Sequence, residues 1–355
     1  MNGRERVMTA LARCKPDRVP VNYAANPGID GRLKAHFGLS GDDDEGLLQA
    51  LGVEFRGVGA PYIGPRLHAE VPDRQVCPRY GLRTRWVDHG HGGYWDFCDF
   101  PLKDATEEEA IRWPMPSPDD YDYSGIEARC EAYPDFALFV GGAGMGDVLN
   151  SSGMVFGVEQ VMMAVLTEDP AWQTYVDRRL GIELEVLRRT IEAAKGRIDF
   201  VWMGEDLGSQ NAPLVGLETY RHIIRPRHEK VLALAKSFGL PVMVHTCGSS
   251  SWAYDDFIDM GVAAVDTLQP EAAQMAPAYL KERFGGRLAF HGCISTAGAV
   301  SFGTPEVVAE ECRKTLEEMM PGGGYCFAPT HALQDNSPTE NVVAMYETAR
   351  KYGVY

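Results

Sequence analysis

The stretch at residues 239–248 reads Gly239-Leu240-Pro241-Val242-Met243-Val244-His245-Thr246-Cys247-Gly248. The preceding run over 218–238 has apolar residues near helical spacing, and Gly239 after it is a typical stop for a helix. The apolar run that follows is short and ends in polar residues. It therefore predicts a strand buried on both faces that leads directly into a polar loop.

Similar apolar runs alternate with helical patterns along the whole chain. Eight of them predict strands, at Arg18–Tyr23, Phe55–Gly59, Phe136–Gly141, Ile198–Gly204, Leu240–Thr246, Ala263–Asp266, Leu288–Gly292 and Gly324–Phe327. Alternating strands and helices form a parallel sheet, and about eight strands favour a closed barrel over an open sheet. We expect an α/β fold in which residues 1–355 form a single (β/α)₈ TIM-type barrel. Its active site would lie at the C-terminal ends of the strands.

One segment, at about 75–102, interrupts this rhythm and is typical of a β-hairpin. It is rich in aromatic residues, namely Tyr80, Trp86, Tyr94, Trp95, Phe97 and Phe100, which lie around a turn at Asp88–Gly93. We interpret it as an insertion that covers one end of the barrel and contacts the substrate. The alternative is that these aromatic side chains only pack the insertion itself.

Composition excludes several classes of function. The chain has 355 residues and a formal net charge of −16, which argues against binding to nucleic acid or to an anionic membrane surface. No apolar run is long enough to span a bilayer, and the N-terminus lacks the apolar core of a signal peptide. We therefore expect a cytoplasmic protein whose eight scattered cysteines are reduced.

A metal site is predicted where the strand at 240–246 ends. His245 and Cys247 are two residues apart, so their side chains point to the same side of the strand, and imidazole and thiolate are ligands that Zn²⁺ prefers. A third ligand must come from another strand end. We favour His331, in the loop after a strand, and keep Cys326, inside that strand, as the alternative. The alternative is that His245 and Cys247 merely finish the strand and bind no metal.

Acidic residues follow another predicted strand, at Ile198–Gly204. Glu205 and Asp206 are adjacent there, so one would complete a metal shell and the other would act as an acid or base. The alternative is that one of them only caps the next helix. Glu271 is a further possible oxygen ligand. His291, at the end of another strand, is a candidate metal ligand or proton donor, or a structural histidine.

The chain resembles the uroporphyrinogen decarboxylase superfamily, and within it the zinc-dependent, corrinoid-linked methyltransferase branch. The motifs that carry the resemblance span nearly the whole sequence. They are Arg4–Val7, Lys15–Pro20, Gly204–Gly208, His245–Gly248, Phe302–Glu306, Gly322–Tyr325 and Glu340-Asn341.

The resemblance implies a deep pocket in the barrel and a zinc ion bound by His245, Cys247 and a third ligand after an Ala-Pro pair. In methylcobamide:thiol methyltransferases that third ligand is a cysteine, whereas this chain has His331. The decarboxylases carry an arginine-rich N-terminal motif and an essential aspartate. The corresponding stretches here, Val21–Asn26 and Arg56–Pro61, contain no such arginine motif and no aspartate. Porphyrinogen decarboxylation is therefore not expected.

These observations lead us to expect a zinc-dependent methyltransferase. It would move a methyl group between a methyl ether or thiol and a corrinoid (cobalamin), with demethylation favoured. The chain has no Asp-x-His-x-x-Gly corrinoid motif, so a separate protein would carry that cofactor. The substrate would contact Arg56, Tyr62, Tyr94, Trp95 and Gln210. The alternatives are a metal-assisted decarboxylase or lyase acting on a small acid, and a barrel that binds a ligand without catalysis.

Overall fold

A parallel seven-stranded sheet forms the centre of the molecule. The computed structural model describes residues 1–88 and 93–355. The sheet order is β1-β5-β6-β7-β8-β9-β10, with all neighbours parallel. The strands are β1 Phe55–Gly57, β5 Ala137–Gly141, β6 Phe200–Gly204, β7 Val242–Thr246, β8 Ala264–Thr267, β9 Ala289–Ile294 and β10 Tyr325–Pro329. The predicted TIM-type α/β fold is confirmed.

The eighth position of the barrel is occupied by an extended segment around Val21. The Glu54 N–H donates to the Val21 carbonyl at 3.0 Å, and the Asn22 N–H donates to the Phe327 carbonyl at 2.9 Å. The segment thus joins β1 to β10 and closes the barrel. This segment pairs with its neighbours only through isolated bridges. The prediction of a regular strand at Arg18–Tyr23 is therefore wrong. Pro20 has no N–H to donate, so a continuous row of backbone hydrogen bonds to a neighbouring strand cannot form at this position.

Helices surround the sheet. They are α1 Gly3–Leu11, α2 Pro27–His36, α3 Asp44–Leu51, α4 Glu107–Arg112, α5 Ile126–Glu131, α6 Leu149–Phe156, α7 Val158–Thr167, α8 Pro170–Ala193, α9 Leu217–Thr219, α10 Arg225–Ser237, α11 Tyr254–Met260, α12 Pro277–Phe284, α13 Ala299–Phe302, α14 Pro305–Met319 and α15 Thr339–Tyr352. Short 3₁₀ turns occupy Pro118–Asp120 and Ser251–Ala253. The helix expected over 218–238 is divided by a π-helical turn at Tyr220–Ile224, next to Pro226 at the start of α10.

The insertion forms a small antiparallel sheet of its own. Its strands are β2 Gln75–Val76, β3 Arg83–Asp88 and β4 Gly93–Cys98, in the order β2-β3-β4. The predicted hairpin is confirmed, although most of its predicted turn, residues 89–92, lies outside the described residues. On the longer strands Trp86 and Trp95 face each other with ring centroids 5.6 Å apart, and both side chains are exposed.

The barrel interior is layered because alternate residues of each strand point inward. The lower layer packs against helix α1 and is entirely apolar. It contains Phe55, Ala137, Phe200, Met243, Ala264, Ala289 and Cys326 together with Val7, Ala10 and Leu11 of α1. Two residues further along the strands, the inward positions reach the C-terminal end, where polar side chains on β7, β8 and β9 join apolar ones on β5, β6 and β10.

Within the described ranges no single helix is both long and apolar enough to cross a bilayer. Helices α6 and α7 reach the necessary length and apolar composition only when taken together, and the chain bends by 117° between them.

Candidate metal centre and cavity

Three predicted ligands come together at the C-terminal end of the barrel. One ligand atom from each of His245, Cys247 and His331 lies within 4.8 Å of the others. His245 is the second-last residue of strand β7, Cys247 begins the next loop, and His331 follows β10. His245 is buried, Cys247 is half-buried and His331 is exposed, so the group faces an accessible space.

The distances fit a zinc ion. Zn²⁺ binds sulfur at about 2.3 Å and imidazole nitrogen at about 2.0–2.1 Å, so tetrahedral ligand atoms lie roughly 3.5 Å apart. The His245 Nε2 to Cys247 Sγ distance is 3.5 Å. The largest separation in the group is 4.8 Å at most, so the exposed His331 side chain needs to move by only about 1 Å.

Cys326, the alternative third ligand, lies elsewhere. Its side chain is fully buried in the apolar lower layer of the barrel, against helix α1. Burial raises the pKa of its thiol, which opposes the thiolate form that metals require. The geometry therefore groups His331, and not Cys326, with His245 and Cys247.

The loops that carry the ligands are held together by close backbone contact. The Ser249 N–H donates to the Ser209 carbonyl at 2.8 Å. Gly248 has a φ of +69°, and a Cβ at this position would lie 2.2 Å from the Gly208 carbonyl oxygen. Only glycine accommodates both the conformation and the contact, so the loop after β7 is fixed against the loop after β6.

Asp206 and Glu205 point to different parts of the structure. The Asp206 carboxylate accepts the Cys247 backbone N–H at 2.9 Å and lies 3.9 Å from His245 Nε2. It is therefore next to the ligand group, and its predicted part in the metal shell or in proton transfer stays a prediction.

Glu205, by contrast, is fully buried and points away from the ligand group. It accepts N–H groups of Val148 and Leu149 at 2.8 and 3.0 Å, at the start of α6. Its carboxyl group also lies 3.1 Å from His228 Nε2 and shares a hydrogen bond with the buried Asp147 side chain. Burial raises the pKa of Glu205 to about 8, although the two backbone bonds act in the opposite direction. Its contacts are those of a residue that anchors a helix end.

Asp266 joins His245 to His291. Its carboxylate lies 2.7 Å from His245 Nδ1 and 2.6 Å from His291 Nδ1. Burial acts to raise the pKa of Asp266, but the two histidines outweigh burial and lower it to about 2. Burial also acts to lower the pKa of His245, yet Asp266 and Cys247 together raise it well above its usual value. The pKa of the Cys247 thiol is raised, chiefly by burial.

A cavity of about 240 Å³ opens beside the three ligands. Its wall is partly apolar, with Ala24, Phe139, Ala143, Trp202, Ala328 and Pro329, and partly polar, with Asn22, His245, Asp266, Thr267, His291, Thr330 and His331. No lysine or arginine is among the described residues that line it. A carboxylate bound in this cavity would therefore find no lysine or arginine to pair with among these residues.

The five predicted substrate contacts lie outside this lining. Arg56 is buried and forms two 2.8 Å hydrogen bonds with the carboxylate of Glu45, and the Tyr62 hydroxyl donates to the Pro65 carbonyl. Tyr94 and Trp95 lie on strand β4 with exposed side chains, and Gln210 is exposed in the loop after β6. Their part in substrate binding stays a prediction.

Sequence reasoning missed Asp266, Asn22, Phe139 and Trp202 as parts of the site. A signal for three of them was available. Phe139, Trp202 and Asp266 lie two residues after Ala137, Phe200 and Ala264, which face the barrel interior. The period of two therefore turns them inward as well, one layer closer to the C-terminal end.

Comparison with known proteins agrees with this architecture. The profile of the family described as uroporphyrinogen decarboxylase (URO-D) matches residues 141–352, which is more than half of the chain. The chain belongs to this family. No curated protein matches the sequence.

Among solved structures, a methyltransferase from Methanosarcina mazei is similar to this chain with a TM-score of 0.65 and 17% sequence identity, covering 99% of both chains. The catalytic domain of a beta-amylase from Paenibacillus polymyxa covers 99% of this chain and 96% of its own, at 10% identity. Its TM-score of 0.35 is too low to support any argument. The first likeness supports the barrel fold of the family.

Proposed function

We propose that this family member is a zinc-dependent methyltransferase. It would move a methyl group between a small methyl ether or thiol and a corrinoid carried by a separate protein, with demethylation the favoured direction. The observation that carries the proposal is the group of His245, Cys247 and His331 beside a small cavity at the C-terminal end of the barrel. The similar Methanosarcina mazei structure is a methyltransferase, which is consistent with the proposal.

His245, Cys247 and His331 would hold the metal, and two of these ligands, His245 and His331, line the cavity. Zinc, when bound, supplies a Lewis acid that polarises an ether oxygen or favours the thiolate form of a thiol. Asp206 lies near enough to complete the shell or to exchange a proton with the oxygen or sulfur that loses or gains the methyl group. His291 lines the same cavity from the other side of Asp266.

The cavity itself supports a small, uncharged substrate. Pockets for drug-sized ligands usually span about 300–1,000 Å³, so 240 Å³ suits a molecule of roughly ten non-hydrogen atoms or fewer. Apolar side chains form one wall, including the rings of Phe139 and Trp202, whose centroids are 5.0 Å apart. A methyl ether or thiol fits these surroundings better than a polycarboxylate does.

The alternative is a metal-assisted decarboxylase or lyase that acts on a small acid. Because the described lining offers neither lysine nor arginine, such an enzyme would have to bind the substrate carboxylate through the metal itself. A requirement for corrinoid distinguishes the methyltransferase from the decarboxylase or lyase. If the barrel only binds a ligand without catalysis, we expect no tightly held metal.

The proposal is tested by metal content and by a methyl-transfer assay. We expect about one zinc per chain by elemental mass spectrometry, and its loss in Cys247→Ala with little change in thermal stability. The zinc-loaded protein should methylate free cob(I)alamin, a surrogate for the partner, when a small methyl ether is added. A well-folded protein without metal, or carbon dioxide release from small acids without corrinoid, would refute the proposal.

A further inference from the structure

Asp266 makes two hydrogen bonds of similar length, one with each of two histidines. Its Oδ2 accepts from His245 Nδ1 at 2.7 Å, and its Oδ1 accepts from His291 Nδ1 at 2.6 Å. All three side chains are at least nine-tenths buried. An ionised carboxylate only accepts hydrogen bonds, so both histidines must carry their proton on Nδ1.

This arrangement follows from the strand register. His245, Asp266 and His291 are direct neighbours across β7, β8 and β9, and they occupy the same inward layer. Neighbouring strands are about 4.8 Å apart, so a carboxylate on the middle strand reaches both flanking imidazoles. A carboxylate at any other inward position of β8 would miss this layer, because it would be shifted by two residues along the strand.

The consequence is that both Nε2 atoms point away from Asp266. Nε2 of His245 lies 3.5 Å from Cys247 Sγ and belongs to the ligand group. Nε2 of His291 lies 3.0 Å from Asn22 Nδ2, and both of these residues line the cavity. With Nδ1 protonated, the Nε2 of a neutral imidazole carries an electron pair, which suits metal binding at His245 and acceptance of the Asn22 Nδ2–H at His291.

We propose that Asp266 is a positioning residue that orients two histidines at once. It fixes the ring and tautomer of the candidate metal ligand His245, and it fixes those of His291 so that its Nε2 accepts from Asn22 in the wall of the cavity. The half that concerns His245 rests on the proposed function, whereas the half that concerns His291 does not. One carboxylate thereby aligns the metal side and the substrate side of the site with each other.

The test uses Asp266→Asn, which keeps the shape of the side chain but leaves a single acceptor oxygen. The amide can accept from only one of the two Nδ1–H groups and offers a donor to the other. Partners of this kind usually contribute 10–100-fold to metal affinity, so we expect zinc affinity, measured by competition with a chelator, to fall about tenfold or more. The matched control is His291→Phe, which keeps the bond between Asp266 and His245. It should change zinc affinity by less than about threefold.

A second readout does not depend on metal or on activity. Nitrogen-15 NMR of the imidazoles in the zinc-free wild-type protein should show a proton on Nδ1 of both His245 and His291. In Asp266→Asn at least one of the two should lose this preference. This measurement on the wild-type protein remains decisive even if the variant does not fold.

The outcomes separate this inference from the proposed function. If the wild-type protein binds no zinc but the NMR pattern is as expected, the zinc methyltransferase is refuted and the role of Asp266 toward His291 stands. If His291 carries its proton on Nε2 alone, or if folded Asp266→Asn binds zinc like the wild type, Asp266 is not the positioning residue.

Discussion

His331→Ala and Cys326→Ala form a matched pair that decides the third metal ligand. His331 is exposed and belongs to the ligand group, whereas Cys326 is fully buried in the lower layer of the barrel. The two substitutions should therefore have opposite effects on metal binding and on stability. Each variant is the control for the other.

The magnitudes follow from these positions. Structural zinc sites bind with about 10–16 kcal/mol over four ligands, so losing one ligand costs roughly 3 kcal/mol, or about 100-fold in zinc affinity. His331→Ala removes an exposed side chain, so its free energy of unfolding without metal should change by less than about 0.5 kcal/mol. Cys326→Ala removes one buried heavy atom and should lower the free energy of unfolding by about 1 kcal/mol.

The assays are chelator competition for zinc affinity and urea denaturation of the metal-free proteins for stability. We expect weak zinc binding with normal stability in His331→Ala, and normal zinc binding with reduced stability in Cys326→Ala. If Cys326→Ala loses zinc while His331→Ala retains it, the assignment of the ligand group from the geometry is wrong.

Three further substitutions test the surroundings of the site. Glu205→Gln cannot accept both backbone N–H groups at the start of α6, so urea denaturation should show a loss of about 1–3 kcal/mol, while zinc content by mass spectrometry stays normal. Arg56→Ala breaks the bidentate pair with Glu45 and should lower the free energy of unfolding by about 2 kcal/mol in the same assay. The affinity for a small methyl ether, measured calorimetrically, should not change. A large loss of affinity would instead make Arg56 a substrate contact. Burial lowers the pKa of Lys281 to about 8, so its ammonium form destabilises the folded state below pH 8, and this penalty disappears as the pH rises toward 10.5. The stability of wild type relative to Lys281→Met should therefore increase between pH 8 and 10.5, and a flat difference would contradict this.

Local patterns were sufficient to predict most of the barrel. Seven of the eight predicted strands are present, because each is a short apolar run bounded by helix stops or polar loops. The eighth, around Val21, failed as a strand because its pairing partners are distant in sequence and Pro20 removes a donor. The helix over 218–238 was predicted as one element, but it contains a π-helical turn beside Pro226.

In the candidate site, too, local sequence patterns account for some features and tertiary structure for the others. The sequence by itself determined the candidate ligand types, because His245 and Cys247 share one side of a strand end and their spacing is local. Whether His331 or Cys326 joins them depends on how far β10 extends before its loop, and tertiary structure alone decided that.

The same holds for the paired acids and for Asp266. Glu205 and Asp206 are neighbours in sequence, yet one anchors α6 and the other reaches the ligand group. The importance of Asp266 depends on the register of three parallel strands that are separated by long helical connections. A single sequence fixes the period of each strand but not the offset between strands, because that offset results from packing across the whole barrel.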